Sequence, residues 1–281
     1  MKHKLQALYG LKWDPFSREA PPEALYRSTV AETLCWRTEH VLLGEGGFGS
    51  VIGEPGEGKS ACLRLLVQHL ERGSSAKVVA LEHASGSVSS FYRELGELFE
   101  VELSPRNRWG GFKALREKWR EHMEKTLLRP VLLVDEAQEM NLKVLTELRL
   151  LSSTRFDSRV ILSVVLAGDR RLEEKLRLEE LTALGSRLRV RLTLEPMDKE
   201  TTLALLDHRL KAAGGSALVT PGLKTTLVER SAGNPRALLA MGQELLMHAV
   251  QRELKQLDEK LYLEVFGGNE RGGSKPKGKR S

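Results

Sequence analysis

Cysteine is scarce in this chain: Cys35 and Cys62 alone cannot make a disulfide framework, and no Cys/His cluster has zinc spacing. A small cross-linked scaffold and a zinc module are both excluded, and the two thiols read as small packing residues. Long apolar runs are missing as well. The longest, Val160 to Gly168 with Ser163 inside it, falls far short of the ~18 residues that indicate a membrane span. The basic start Met1-Lys2-His3-Lys4 leads into Leu5-Gln6-Ala7-Leu8-Tyr9-Gly10, without the unbroken apolar segment of a secretory signal. No membrane and a cytoplasmic location are the expectations.

With 281 residues, 41% hydrophobic and 29% charged, the chain has enough apolar material for one large domain and a smaller one. The net charge is +6, but Gly267 to Ser281 holds a net +4 of it, in Arg271, Lys275, Lys277, Lys279 and Arg280 against Glu270. That segment has five glycines, one proline and no apolar side chain, so it reads as a disordered basic tail, either a solubilising end or a flexible arm on nucleic-acid phosphate.

Short β-rich runs alternate with helical periods, the pattern of a parallel sheet covered by crossover helices. The runs predict five strands, Phe48 to Ile52, Lys77 to Glu82, Pro130 to Asp135, Arg159 to Ala167 and Arg189 to Leu194. Helical spacing predicts helices over Lys59 to Arg72, Ser87 to Phe99 and Gly111 to Leu127, the last two joined by the basic and aromatic stretch Ser104 to Gly110. After Pro196 only helical periods remain, over Lys199 to Ala213, Leu223 to Ser231, Pro235 to Arg252 and near Leu257 to Val265. The expected domains are therefore an α/β nucleotide-binding domain over 1–196, a helical lid over 197–266 and the tail over 267–281.

Gly53-Glu54-Pro55-Gly56-Glu57-Gly58-Lys59-Ser60 satisfies G-x-x-x-x-G-K-[ST] between a predicted strand and a predicted helix. Glycines let backbone N–H groups turn toward phosphates, and the helix N-terminus at Lys59, Ser60 and Ala61 offers unpaired donors. Lys59 suits the β- and γ-phosphates of ATP, and the Ser60 hydroxyl suits Mg²⁺. Just upstream, Gly44-Glu45-Gly46-Gly47-Phe48-Gly49-Ser50-Val51 fits the protein-kinase glycine loop, yet no H-R-D or D-F-G motif follows, so it reads as a flexible lead-in to the first strand.

About 75 residues beyond the phosphate loop, Val131-Leu132-Leu133-Val134 ends in Asp135-Glu136. An apolar strand ending in two carboxylates presents them where an open α/β sheet binds ligands, and with an intact phosphate loop it is a Walker B motif. Asp135 is the expected second magnesium residue, and Glu136 the group that polarises the attacking water.

These motifs carry a resemblance. The chain looks like the ExeA-like group of AAA+ ATPases, which is similar in turn to the TniB, TnsC and MuB-type transposition ATPases. The likeness covers roughly residues 5 to 250. Tyr9-Gly10-Leu11-Lys12-Trp13-Asp14-Pro15-Phe16, followed by Leu25-Tyr26, resembles the segment that in this group packs near the nucleotide base. Glu147-Leu148-Arg149-Leu150-Leu151-Ser152 fits the helix after Walker B. Leu184-Gly185-Ser186-Arg187-Leu188 fits the segment whose arginine is directed at a neighbouring subunit. Arg187 is therefore the arginine-finger candidate, expected beside the sheet's ligand edge, with Arg189 and Arg191 as alternatives. Gly233-Asn234-Pro235-Arg236 resembles the lid motif that brings a second sensor, Arg236, over the nucleotide. Asp169 occupies the first-sensor position, where the group normally carries a neutral polar residue. An anion there repels the γ-phosphate unless Arg170 or Arg171 pairs with it, which points to slow hydrolysis stimulated by assembly.

The resemblance implies an ATP- and Mg²⁺-dependent ATPase that self-associates into a ring or helical filament on duplex DNA and assists a transposase in target selection. Arg106, Arg108, Lys113 and Arg116, clustered around Trp109, are the candidate DNA contacts. The alternative is the secretion role of ExeA itself, coupling hydrolysis to cell-envelope assembly. ExeA-type proteins continue into a membrane span and a cell-wall-binding region, and neither occurs before Ser281. A nucleotide switch with no DNA role is a third reading, to which no attached sensor or effector domain corresponds.

Overall fold

The computed structural model describes residues 2–73, 76–81, 86–102, 107–154 and 159–267. They form two compact units, one of residues 27–195 and one of 1–26 together with 196–281. The N-terminal segment, expected in the nucleotide-binding domain, thus packs with the helices that follow Pro196.

The first unit is built on a five-stranded sheet in the order β2-β3-β6-β1-β7, with β1 at Phe48–Ile52, β2 at Ala76–Leu81, β3 at Arg129–Val134, β6 at Ser163–Gly168 and β7 at Leu188–Thr193. Every pairing in it is parallel. Residue types follow this order. The inner strands β3, β6 and β1 are apolar and buried almost throughout, whereas the edge strand β7 alternates exposed Arg189 and Arg191 with buried Val190. Helices α3 (Lys59–Arg72), α4 (Val88–Phe99), α5 (Arg108–Thr126), α6 (Leu142–Leu151), α7 (Arg170–Leu176) and α8 (Thr182–Gly185) flank the sheet. One core holds Leu95, Leu115, Trp119, Leu132, Val144, Leu148 and Val164, all fully or almost fully buried.

Before the sheet, the chain forms α2 (Thr29–Arg37), capped by Ser28, and a π-helical turn over Thr38–Leu43 that the sequence patterns did not predict. The glycine-rich lead-in is fastened, contrary to the flexible segment expected. Arg129 Nη2 donates to the Gly44 carbonyl at 3.3 Å, Arg189 pairs with Glu45, and Val164 N donates to the Gly47 carbonyl at 3.0 Å. Gly46 and Gly47 adopt φ of 80° and 123°, which a side chain rarely tolerates.

Two expected boundaries move. The run Arg159 to Ala167 is broken: β4 (Ser153–Thr154) and β5 (Arg159–Val160) form a small antiparallel ribbon. Ile161 and Leu162 then both donate to the Ser152 carbonyl before β6 begins, so a continuous apolar run contains a change of direction. Helix α5 begins at Arg108 instead of Gly111. Asn107 caps it by accepting from Gly110 N at 2.8 Å, which offsets the poor helix propensity of Gly110-Gly111. Glu82 and most of the expected tail lie outside the described residues.

The second unit holds α1 (Lys2–Tyr9), α9 (Lys199–Ala213), α10 (Pro221–Ser231), α11 (Pro235–Gln251) and α12 (Glu259–Phe266). Phe16, 1% exposed, packs against Gly242, and buried Arg209 donates to the carbonyls of Pro15 (2.7 Å) and Ser17 (2.6 Å). These contacts bind the Tyr9-to-Phe16 segment into the helical unit. Among the described residues, no helix is long and apolar enough to cross a membrane.

Candidate active site

Register brings the site together. Ile52 pairs with Gly168 and Thr193, and Gly53 N donates to the Gly168 carbonyl at 3.1 Å, so β1 and β6 end side by side. Val134 pairs with Leu166 one strand further on. The loop after β1 therefore faces the turns after β3 and β6 at one sheet edge, where parallel α/β sheets bind ligands.

In the loop, Gly58 takes φ of 101° and a Cβ there would meet nothing within 4 Å, so the glycine serves its backbone turn and leaves space above it. Gly53 is required for another reason, since a Cβ would sit 2.9 Å from Leu194 Cβ and 3.0 Å from Glu57 Oε2. That carboxylate accepts from Glu54 N at 2.6 Å and closes the loop on itself. The first helical bond of α3 runs from Cys62 N to the Gly58 carbonyl at 2.9 Å, leaving the N–H groups of Lys59, Ser60 and Ala61 outside the helix ladder. Lys59 is 6% exposed and donates to the carbonyls of Gly53 (2.8 Å) and Glu54 (3.4 Å), placing its ammonium inside the loop.

Ser60 Oγ donates to Asp135 Oδ2 at 2.8 Å across 75 residues of sequence. A hydroxyl and a carboxylate converging beside a phosphate cradle are the hard oxygen donors that Mg²⁺ takes, so the residues fit that ion. Glu136 adopts φ of 50°, a left-handed conformation uncommon outside glycine, and it turns the chain into a short 3₁₀ segment at Ala137–Glu139.

Gln138, two residues beyond Glu136, is a member of the site that the sequence motifs did not single out. It is 3% exposed, its Nε2 donates to Glu136 Oε2, and its Oε1 accepts from Asp169 N at 3.3 Å. One amide therefore joins the catalytic candidate to the first-sensor turn. The sequence signal for it was a polar side chain shortly after a buried strand and its two carboxylates.

Asp169 caps α7, its Oδ1 accepting from Arg171 N at 2.9 Å, while the Arg171 guanidinium reaches Oδ2 at 2.8 Å through Nη2 and 3.0 Å through Nε. Desolvation pushes this carboxyl's pKa up, but the hydrogen bonds from Arg171 and the charges of Arg171 and Lys59 outweigh it and hold the pKa below the ordinary range. The compensation expected for this anion is supplied by Arg171. Arg170 instead reaches Glu54 of the phosphate loop at 3.0 Å.

Arg187 is not beside the ligand edge. It precedes β7, whose Leu188 pairs with Phe48 at the start of β1, and its carbonyl accepts from Phe48 N at 3.1 Å. It therefore stands at the sheet edge opposite the phosphate loop, with Nη1 3.5 Å from Ser153 Oγ. Arg191 donates to the Gly185 carbonyl at 3.2 Å. Arg236 is an exposed residue in the first turn of α11, in the helical unit; Asn234 caps that helix and Gly233 takes φ of 76° against the backbone of Met197.

The DNA candidates separate. Arg106 lies outside the described residues. Arg108 pairs with Glu147, a buried carboxylate on α6, and Arg116 donates to the Ser153 carbonyl. Lys113 stands over the exposed ring of Trp109.

Comparison with known proteins agrees with this geometry. Residues 42–176 match the AAA domain family model. The chain is 31% identical over 248 residues to general secretion pathway protein A of Aeromonas hydrophila, an alignment that covers 87% of this chain but 44% of that protein. Among solved structures, Cdc6p from Pyrobaculum aerophilum superposes with a TM-score of 0.70 at 17% identity, covering 89% of this chain and 70% of that one. The Aeropyrum pernix ORC1 protein, solved in complex with DNA, gives 0.67 at 18% identity, covering 92% and 69%. The ExeA-like part of the resemblance is thus borne out, and the chain has the α/β P-loop AAA+ fold, a five-stranded parallel sheet flanked by helices, with an AAA domain at its centre.

Proposed function

We propose that the chain is a magnesium-dependent ATPase, slow alone and stimulated by assembly, that oligomerises on duplex DNA and assists a transposase in target selection. The observation that supports hydrolysis is the 2.8 Å bond from Ser60 to Asp135, which joins the phosphate loop to the carboxylate pair. Lys59 and the N–H groups of Ser60 and Ala61 bind the phosphates, and Ser60 with Asp135 would hold Mg²⁺, which would supply positive charge against the phosphates when bound. Glu136, oriented by Gln138, takes a proton from the attacking water. In this reading Arg236 is the second sensor, and Arg187 completes the site of a neighbouring subunit.

The DNA part rests on the resemblance to transposition ATPases that the sequence reading implies and on the cations of α5 and the tail. The identity to general secretion pathway protein A favours a second reading, energy coupling in secretion, in which the same ATPase has no DNA partner.

One experiment separates them: filter binding of the intact chain to duplex DNA at low salt, with and without a non-hydrolysable ATP analogue, beside ATPase assays of Lys59→Ala and Glu136→Gln. The expected results are ATP-stimulated binding that weakens with salt, loss of nucleotide binding in Lys59→Ala, and ATP binding with poor turnover in Glu136→Gln. Hydrolysis without any ATP-stimulated DNA binding favours the secretion reading, and unchanged ATP affinity in Lys59→Ala removes the assignment of the phosphate loop.

A further inference from the structure

At the edge of the core, where Phe112 packs against it, α5 has a construction that phosphate contact alone does not explain. Trp109 and Phe112 stack with centroids 5.4 Å apart and planes 6° from parallel. Lys113 Nζ lies 5.4 Å from the Trp109 centroid, and the Arg116 guanidinium 4.8 Å from that of Phe112. Trp109 is nevertheless 65% exposed, a large apolar ring in contact with water. Beside the stack runs a groove of about 630 Å³, lined by Phe112, Lys113, Arg116, Glu117 and Arg120 of α5 and by Thr154 of β4.

The charges in this groove are ordered. Lys113, Arg116 and Arg120 follow one another at spacings of three and four residues, so they share a helix face in steps of about 4.5 and 6 Å along its axis. Long side chains splayed from such neighbouring positions can reach successive phosphates of one strand. The carboxylate in the lining is Glu117, which pairs with Arg120 at 3.1 Å. Arg116 donates to the carbonyl of Ser153, and among the described residues no carboxylate pairs with Lys113.

We propose that the Trp109–Phe112 stack and the adjoining groove bind a single nucleic-acid strand with unpaired bases, a base lying against the indole and its phosphates along Lys113, Arg116 and Arg120. The proposal rests on the DNA reading above and narrows its α5 contact. Paired bases hide their faces inside the duplex, so an intact duplex offers this face its phosphates and leaves the rings unused. An unpaired strand offers both, and stacking with cations is how strands are held without sequence preference. An acidic peptide satisfies the cations and leaves the ring column without a partner.

The test uses the full chain with a non-hydrolysable ATP analogue, a fluorescein-labelled thymidine oligonucleotide of about 16 nucleotides and a blunt duplex of the same length, read by anisotropy over a salt series. Trp109→Ala is expected to weaken strand binding about tenfold and duplex binding less than about twofold, with Trp109→Phe restoring most of the loss. Lys113→Glu is expected to weaken strand binding and lower its salt slope by about one counterion. ATPase activity, measured alongside, reports that each variant is folded. Strand binding by Trp109→Ala equal to wild type overturns the proposal and leaves the DNA reading in place; wild-type protein that binds neither probe overturns both.

Discussion

Glu147 on α6 is held by the hydroxyl of Tyr92 on α4, which donates to its Oε2 at 2.8 Å in the interior of the α/β unit. Arg108, in the first turn of α5, pairs with the other oxygen from the exposed side. Three helices thus meet on one carboxylate, and Arg108 has a structural task that its place in a basic cluster did not reveal. Arg108→Ala leaves a buried charge with the tyrosine as its remaining partner among these contacts, and is expected to cost about 1–3 kcal/mol, less than a fully buried pair because the guanidinium is mostly exposed. Urea titration measures it. Adding Glu147→Gln should recover part of the loss; an additive double variant removes the coupling.

What the sequence made legible divides along a physical line. Chemistry written in contiguous residues was readable: Gly53 to Ser60 and Val131 to Glu136 each imply their own strand end and geometry, and the register places them together as expected. Relationships set by tertiary packing were not. Gln138 bridges Glu136 and Asp169 from a position that has no local requirement for glutamine. The edge on which Arg187 stands depends on strand order and direction, which no residue near it encodes. Arg159 to Ala167 looked like one strand because apolar continuity does not record a turn.

The ion pair of Asp169 with Arg171 predicts an order of effects. Arg171→Ala strips the compensation from an anion at the end of β6, beside the phosphate loop, so ATP binding should weaken more than ADP binding because ATP carries the additional phosphate. Asp169→Asn, which keeps an oxygen able to cap α7, should restore ATP affinity in the double variant. Fluorescent-nucleotide titrations of the single and double variants decide it. Equal losses for ATP and ADP would place the effect in loop structure instead of charge.

Cys35 and Cys62 are free and buried, and burial pushes both thiols up to about 11. The nucleophile is the thiolate, so at pH 8 its population falls roughly a hundredfold below that of an exposed thiol. Alkylation by iodoacetamide should be slow in the folded protein and should still be rising with pH beyond the range where an ordinary thiol has levelled off. In urea both residues should react at the ordinary rate. A folded-state reaction at pH 8 as fast as that in urea contradicts the packing role.

The position of Arg187 fixes how it can act. Strands β1 and β7 are parallel, and Arg187 lies where they begin while the phosphate loop opens where β1 ends. Five strand residues separate those edges by about 16 Å, beyond the reach of an arginine side chain. Arg187 can therefore contribute to hydrolysis only at the site of another subunit, in a head-to-tail contact. Turnover per subunit should rise with protein concentration, and Arg187→Ala should lose that rise and fall at least about 10²-fold while binding ATP normally. Complementation is the sharper measurement. Arg187→Ala keeps its own Lys59 and Glu136, whereas Glu136→Gln keeps its Arg187. Mixing two inactive variants should therefore restore activity at sites where the first supplies the nucleotide pocket and the second the guanidinium. Mixtures no more active than their components, with wild-type turnover independent of concentration, would sink the idea of a finger. Concentration-dependent turnover that Arg187→Ala retains would transfer the role to Arg189 or Arg191.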